Sequence, residues 1–381
     1  MDYNTRENTK YRPEGKHEDC SAVYSTSLTQ PRLSELTEHL RTNPDNLQSR
    51  FQLLGHYLRV SCSAKGSKQQ AARKSYTEHL LWLVDNHPRH VFHAQNRGFS
   101  EDSYFADVKS HWDNQVKSNA NDVTVLFHAA TFNQIAAPIY STELLTRASS
   151  LDSNNEKFPE TLCELYLTQA HDSDQKDREK FARLAFKEFM TALERYENYC
   201  ADKYKKNFLY RFDLTGDRVA ASAIDCGLFD EAKQIAHLVM SRTTGVVVTQ
   251  ISEQVTKGEL YGIISSKNTG NAILGLVAIA EQDMDGAVRH LENLIVSEPY
   301  NHVESDFANA LLICGKGADV KLYLERANEL FKHQAVVDNN DNNTNELHAE
   351  RIRRYAAAAS KKISRWVREI EKGNIPTLER F

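Results

Sequence analysis

Apolar residues recur along this chain at helical spacing, and the recurrence is interrupted at short intervals. Leu33, Leu36 and Leu40 fall at i, i+3 and i+7, the stripe of one helix face. Asn43-Pro44-Asp45-Asn46 breaks that stripe, and Phe51, Leu54, Tyr57 and Leu58 begin another. Tyr76, Leu80, Leu83 and Val84 predict a third helix, stopped at His87-Pro88. Tyr104, Phe105, Val108, Trp112 and Val116 predict a fourth. Breaks this short between amphipathic stripes predict antiparallel helical hairpins. Residues 1–30 lack periodicity and are polar, which predicts a disordered tail ahead of Pro31.

The same arrangement of small and bulky residues returns along the chain. In Asn268 to Asn301, Leu274-Gly275 precede Ala278; Ala287, Leu291, Leu294 and Pro299 follow. Gly275 and Ala287 would let two helix backbones approach closely, with Leu291 filling the gap to the next hairpin. Ala308, Leu311, Gly315, Val320, Leu324 and Ala327 take the corresponding places downstream, and Ala220, Ala223, Gly227, Ala232, Ala236 and Val239 take them upstream. A further copy lies around Ala129, Phe132, Leu145 and Ala148. The first hairpin, with Leu54-Gly55 and Leu58, fits once an insertion near residues 61–67 is allowed.

A helix-turn-helix of about 34 residues with this pattern resembles the tetratricopeptide repeat. The resemblance covers roughly residues 31–333 and is strongest from Arg218 onward; the stretches 78–88 and 144–152 also look like bacterial proteins of this class. The family's tryptophan and tyrosine are missing from most copies, and insertions separate several of them. The resemblance implies an all-α fold, a right-handed superhelix (α-solenoid) of antiparallel hairpins whose concave face holds a protein or peptide.

The expected organisation is a polar tail at 1–30, N-terminal hairpins at 31–175, C-terminal repeats at 176–335, and a linker with a capping helix at 336–381. Residues 176–212 read as one long helix that could bridge the halves, with Phe181, Ala185, Phe189, Ala192, Tyr196, Tyr199 and Tyr204 in its stripe. Residues 243–251, with Val246-Val247-Val248, suit either a strand or a buried helical turn. Beyond an Asn/Asp-rich linker, Ile352, Tyr355, Ala356, Ala359, Ile363, Trp366, Val367 and Ile370 predict an amphipathic helix across 346–372, closed by Gly373. Its polar face includes Arg351, Arg354, Lys361, Arg365 and Arg368. A cap on the last repeat is the leading reading of this helix; docking on an acidic partner or anionic surface, or contact with nucleic acid, are the alternatives.

Composition narrows the function classes. Among 381 residues there are 8 Pro and 15 Gly, so long helices can run unbroken, and 40% hydrophobic residues suffice for a repeat array. A formal net charge of -5 provides no global field for nucleic acid. Cys20, Cys62, Cys163, Cys200, Cys226 and Cys314 contain no CxxC pair and are expected as free thiols. The beginning has no signal-peptide core, and the longest apolar run, Asn271 to Ala280, is too short for a membrane span, so a cytoplasmic protein is expected.

Chemical motifs are absent: no HExxH, GxSxG, GxGxxG or phosphate-loop pattern occurs. Gly315-Lys316-Gly317 reads as a turn between helices. His87, His90 and His93 form an HxxHxxH run that could offer imidazoles to zinc, but a solvated loop after Pro88 is the expected reading. Asp172–Asp177 and Asp338–Asn343 superficially resemble calcium loops but lack the required glycine and terminal carboxylate. No metal or cofactor is expected.

These readings favour a protein- or peptide-binding scaffold without catalysis. The candidate partner-binding residues are Asn133, Gln134, Arg218, Asp225, Leu276, His302, Asp306 and Asn309. The alternatives are an enzyme on a helical-repeat scaffold and an RNA-binding helical array.

Overall fold

In the computed structural model, residues 10, 14, 28–95, 104–199, 215–241, 257–294, 303–337 and 346–379 are described. The described chain is an array of α-helices in which consecutive helices pair as hairpins. Among the described residues, the exceptions to coil and turn outside the α-helices are a 3-10 turn and a single parallel bridge between Glu14 and His90. The chain divides into two compact units, residues 1–166 with 187–201, and residues 167–186 with 202–381.

In the first unit α1 (Gln30–Thr42), α2 (Leu47–Ser63) and α3 (Gly66–Asn86) pack in succession. Pro31 sits in the first turn of α1, where its missing N–H costs nothing. Asn46 caps α2 by accepting the Ser49 N–H at 2.8 Å. The insertion expected near residues 61–67 is a brief link between two lengthened helices, with Gly66 at φ +62°. After the 3-10 turn Val91–Gln95 come α4 (Phe105–Ser118), α5 (Val123–Asn133) and α6 (Pro138–Leu151).

Helix α5 is buried at every position, from Val123 to Asn133. Its sequence is apolar on all sides, and a helix of that kind is covered on all sides rather than along one stripe. It packs on α4, on α6 and on the 3-10 turn. Asp122 starts it, accepting from the N–H groups of Thr124 and Val125. Ser141 of α6 donates its hydroxyl to the Ala130 carbonyl at 2.9 Å, which marks the close crossing of α5 and α6. The first part of α7 (Lys157–Asp172) adds Phe158, Leu162 and Leu165 to the same core.

Helix α8 (Gln175–Tyr199) contributes residues to both units and buries Ala185, Phe189, Ala192 and Tyr196, as its stripe predicts. The remainder of the long helix expected through residue 212, and the segment 243–251, lie outside the described residues.

The second unit contains α9 (residues 215–225), α10 (Phe229–Ser241), α11 (Lys257–Ala280), α12 (Met284–Glu292), α13 (Ser305–Ile313), α14 (Gly317–Val337) and α15 (Glu346–Glu371). One turn geometry recurs between the helices of successive hairpins. Leu228 N–H bonds Ala223 O, Asp283 N–H bonds Ala278 O, and Lys316 N–H bonds Leu311 O, each at 2.8–3.0 Å. The residue just before each donor has positive φ: Gly227 at 73°, Gln282 at 66° and Gly315 at 79°. In each second helix the small or branched residue of the sequence register, Ala232, Ala287 and Val320, is fully buried.

Two glycines of α11 lie tight against neighbouring helices, Gly275 against a side-chain ring and Gly270 beside Met240. A Cβ on Gly275 would meet the Phe307 ring of α13 at 2.0 Å, and a Cβ on Gly270 would lie 3.0 Å from the Ala236 carbonyl of α10. Helix α15 lies along α14, burying Ala356, Ala359, Ile363 and Trp366 in the same core as Val320, Leu324 and Phe331. Gly373, at φ +79°, ends it. Helix α14 runs through Val337, so the first residues of the expected linker are helical, while 338–345 lie outside the described residues.

Candidate functional site

After Gly373 the chain turns back, and its last described residues are held against α13 and α15. Asn309 on α13 donates from Nδ2 to the Leu378 carbonyl at 2.8 Å, and its Oδ1 accepts the Leu378 N–H at 2.8 Å. The two bonds fix which end of the amide is oxygen and satisfy both polar groups of one residue of main chain. The Leu378 side chain enters the apolar core that contains Phe307, Leu311 and Trp366. Leu378 is the only buried residue of 373–379. Glu379 pairs with Lys362 of α15 at 2.8 Å, and that ammonium holds the Glu379 carboxyl below the usual range. A side-chain amide, an apolar recess and a cation thus hold one non-helical segment without burying most of its side chains.

The other expected residues are spread over several helices. Asp306 is exposed on α13, one turn before Asn309. Leu276 on α11 is half-buried against the same core. Arg218 and Asp225 are both exposed on α9. His302 lies outside the described residues. Asn133 and Gln134 belong to the first unit, and both are buried. Asn133 has no exposed surface to offer: its Nδ2 donates to the Ala129 carbonyl at 2.8 Å, and its Oδ1 has no hydrogen-bond partner. The sequence register singles out Asn309. It misses Leu378, because nothing in a polar C-terminal segment announces a core residue.

A second concentration of chemistry lies inside the first unit. The expected solvated loop after Pro88 is not one: His90 and His93 are each 1% exposed. The Glu14 main chain pairs with Arg89 and Val91 at 2.8 Å, and the turn Val91–Gln95 packs under α5. There His93 meets His128, a residue the sequence did not single out, with ring centroids 5.9 Å apart. Trp112 presents itself edge-on to His93 at 4.9 Å, and Phe51 lies 4.8 Å from His90.

Burial drives the His93 pKa well below its ordinary value, with His128 and His90 adding to the effect. Burial likewise lowers His128 to about 4. Both rings are therefore neutral at pH 7. His128 Nδ1 lies 2.9 Å from the Pro88 carbonyl and, as a neutral ring, donates to it. His87 stands apart, half-buried beside Trp82 at 5.2 Å. Among the described residues no group of three or more His, Cys, Asp or Glu side chains is placed to hold a metal ion.

A polar cavity of about 420 Å³ opens beside this region, lined in part by Lys10, Glu14, Arg89 and Asp122. Arg89 is engaged there by Asp122 and by Glu14. Asp122 is committed to capping α5. Arg89 and Asp122 are thus engaged in the fold.

Helix α15 turns Arg351, Arg354, Lys361, Arg365 and Arg368 to solvent, while Glu350 pairs with Arg354 at 2.8 Å. Among the described residues no helix is long and apolar enough to cross a membrane. Comparison with protein-family models, with curated proteins and with solved structures found no match for the chain. The all-helical architecture and its hairpin pairing therefore stand on the geometry itself.

Proposed function

We propose that this chain is a non-catalytic scaffold that holds another protein through an extended peptide segment. The observation that carries the reading is the pair of hydrogen bonds between the Asn309 amide and the Leu378 main chain. A helical array that seats one extended segment by its backbone has the chemistry to seat others of similar shape. The recurring turns at Gly227, Gln282 and Gly315 support the finer reading as well. In it, the hairpins are of tetratricopeptide type and wind into a right-handed superhelix whose first helices line a concave face. A cytoplasmic location, no cofactor and no reaction belong to the same proposal. The basic face of α15 would supply an additional contact for an acidic partner.

Affinity capture from the native cell, followed by reconstitution with the purified partner, tests this. Arg218→Glu and Asp306→Arg reverse charges on exposed positions of α9 and α13. The expected result is a reconstituted complex that either reversal weakens at least tenfold. A partner bound equally well by both variants would remove these residues from the interface. Failure to reconstitute any complex would remove the scaffold reading.

A further inference from the structure

We infer that the seat formed by Asn309, Lys362 and the apolar recess around Leu378 is a peptide-binding site, and that the chain's own C-terminal segment is its internal occupant. The partner it fits is an extended segment carrying an aliphatic residue followed directly by an acidic one, as Leu378-Glu379 do here. This deepens the scaffold reading and rests on it.

Three observations converge. First, the main-chain bonds come from a side-chain amide, not from the continuation of a helix or strand, so they hold the backbone of one residue whatever its side chain. Second, among the described residues of the segment only Leu378 is buried, with Pro376 half-buried. Leu378 is 2% exposed, whereas Gly373, Asn374, Ile375 and Thr377 are exposed, Ile375 at 63%. Third, the ionic contact is at the surface: Glu379 is 65% exposed in its ion pair with Lys362. An attachment with one buried anchor and an exposed ion pair is weak for its length and open to displacement.

The segment follows α15 directly through the turn at Gly373, which tethers it beside its seat. Tethering raises its local concentration to roughly the millimolar range, so it excludes weak ligands and yields to tighter or abundant ones. The seat is thereby closed to nonspecific apolar segments until a matching peptide competes.

The test uses the full-length chain and a fluorescently labelled peptide of residues 373–379, followed by anisotropy. Leu378→Asp in the chain places a charge in the recess and should release the segment. The peptide is expected to bind this variant at least tenfold more tightly than it binds the unaltered chain. Adding Asn309→Ala to the variant should weaken binding tenfold or more, and a peptide carrying the same Leu378→Asp change should not bind. Where Leu378→Asp lowers the melting temperature too far, Leu378→Ser removes the anchor without adding charge.

A folded released variant that does not bind the peptide would overturn the inference, as would equal binding by the unaltered chain. If the released chain instead self-associates and the peptide binds only the dimer, the seat exchanges tails between copies and the partner-peptide reading fails. A partner complex that still depends on Arg218, in a protein whose seat takes no peptide, would leave the scaffold reading standing and sink this one alone.

Discussion

The tip of the Phe307 ring occupies the space that a Cβ on Gly275 would need: the built carbon lies 2.0 Å from Cζ of Phe307. Helices α11 and α13 therefore meet with one residue reduced to hydrogen and the other filling the vacancy, and Phe307 is itself buried at 1% exposure.

Gly275→Ala should destabilise the protein despite improving helix propensity. The propensity gain is about 1 kcal/mol, and forcing a methyl group into packed ring atoms costs about 1–3 kcal/mol. A net loss of up to roughly 2 kcal/mol is expected from these opposing terms, read as a lower urea midpoint. Phe307→Leu in the same chain should recover part of it, since the contact is pairwise. A gain in stability from Gly275→Ala alone would show that α11 and α13 do not meet here.

Asn328 on α14 joins α15 through two serines. The Ser360 hydroxyl donates to its Oδ1 at 2.8 Å, and its Nδ2 donates to the Ser364 hydroxyl at 3.1 Å. Asn328 is buried and both serines are half-buried, so Asn328→Leu removes two hydrogen bonds and should cost about 1–3 kcal/mol. Changing Ser360 and Ser364 to Ala as well should restore most of that loss, because all the polar partners then leave together. Thermal melts of the single and triple variants measure the difference; equal melting would contradict the account.

The buried imidazoles make stability depend on acid. His128 titrates near 4 in the folded protein because burial disfavours its charged form, against about 6.5 in the unfolded chain. The unfolded state therefore binds the extra proton between those values, and stability is full above about pH 6.5 and falls as pH drops towards 4. Between pH 7 and pH 5 His128 alone should account for roughly 2 kcal/mol. The Pro88 carbonyl, Lys157, His90 and Asp122 all act on it, but burial dominates. His93 shifts in the same direction. His128→Gln should flatten the dependence of the urea midpoint on pH; an unchanged slope would place the acid sensitivity elsewhere.

Asn133 offers a test in the opposite direction. Its Oδ1 is buried without a hydrogen-bond partner, so the amide carries a desolvation cost that it does not recover. Asn133→Leu should leave stability unchanged or raise it by up to about 1 kcal/mol, and should leave partner binding untouched. Loss of the partner without loss of stability would return this residue to the interface.

Local spacing carried the helices and their pairing into the structure with little change. Stops at Asn43-Pro44 and His87-Pro88, and small residues at Ala220, Gly275 and Ala308, follow from backbone geometry that acts over one or two turns. The HxxHxxH run shows where such reasoning fails: spacing after a proline says loop, but burial depends on what the loop is packed beneath.

The sequence by itself determined where many of the helices run and stop, and which of them carry an apolar stripe, because those properties depend on residues a few positions apart. Only the tertiary structure decided that His93 meets His128, that α5 is enclosed on every side, and that Leu378 returns to Asn309 across 69 residues. An amphipathic stripe specifies that something must cover it; the choice of cover is made by the whole chain competing for the same buried surface.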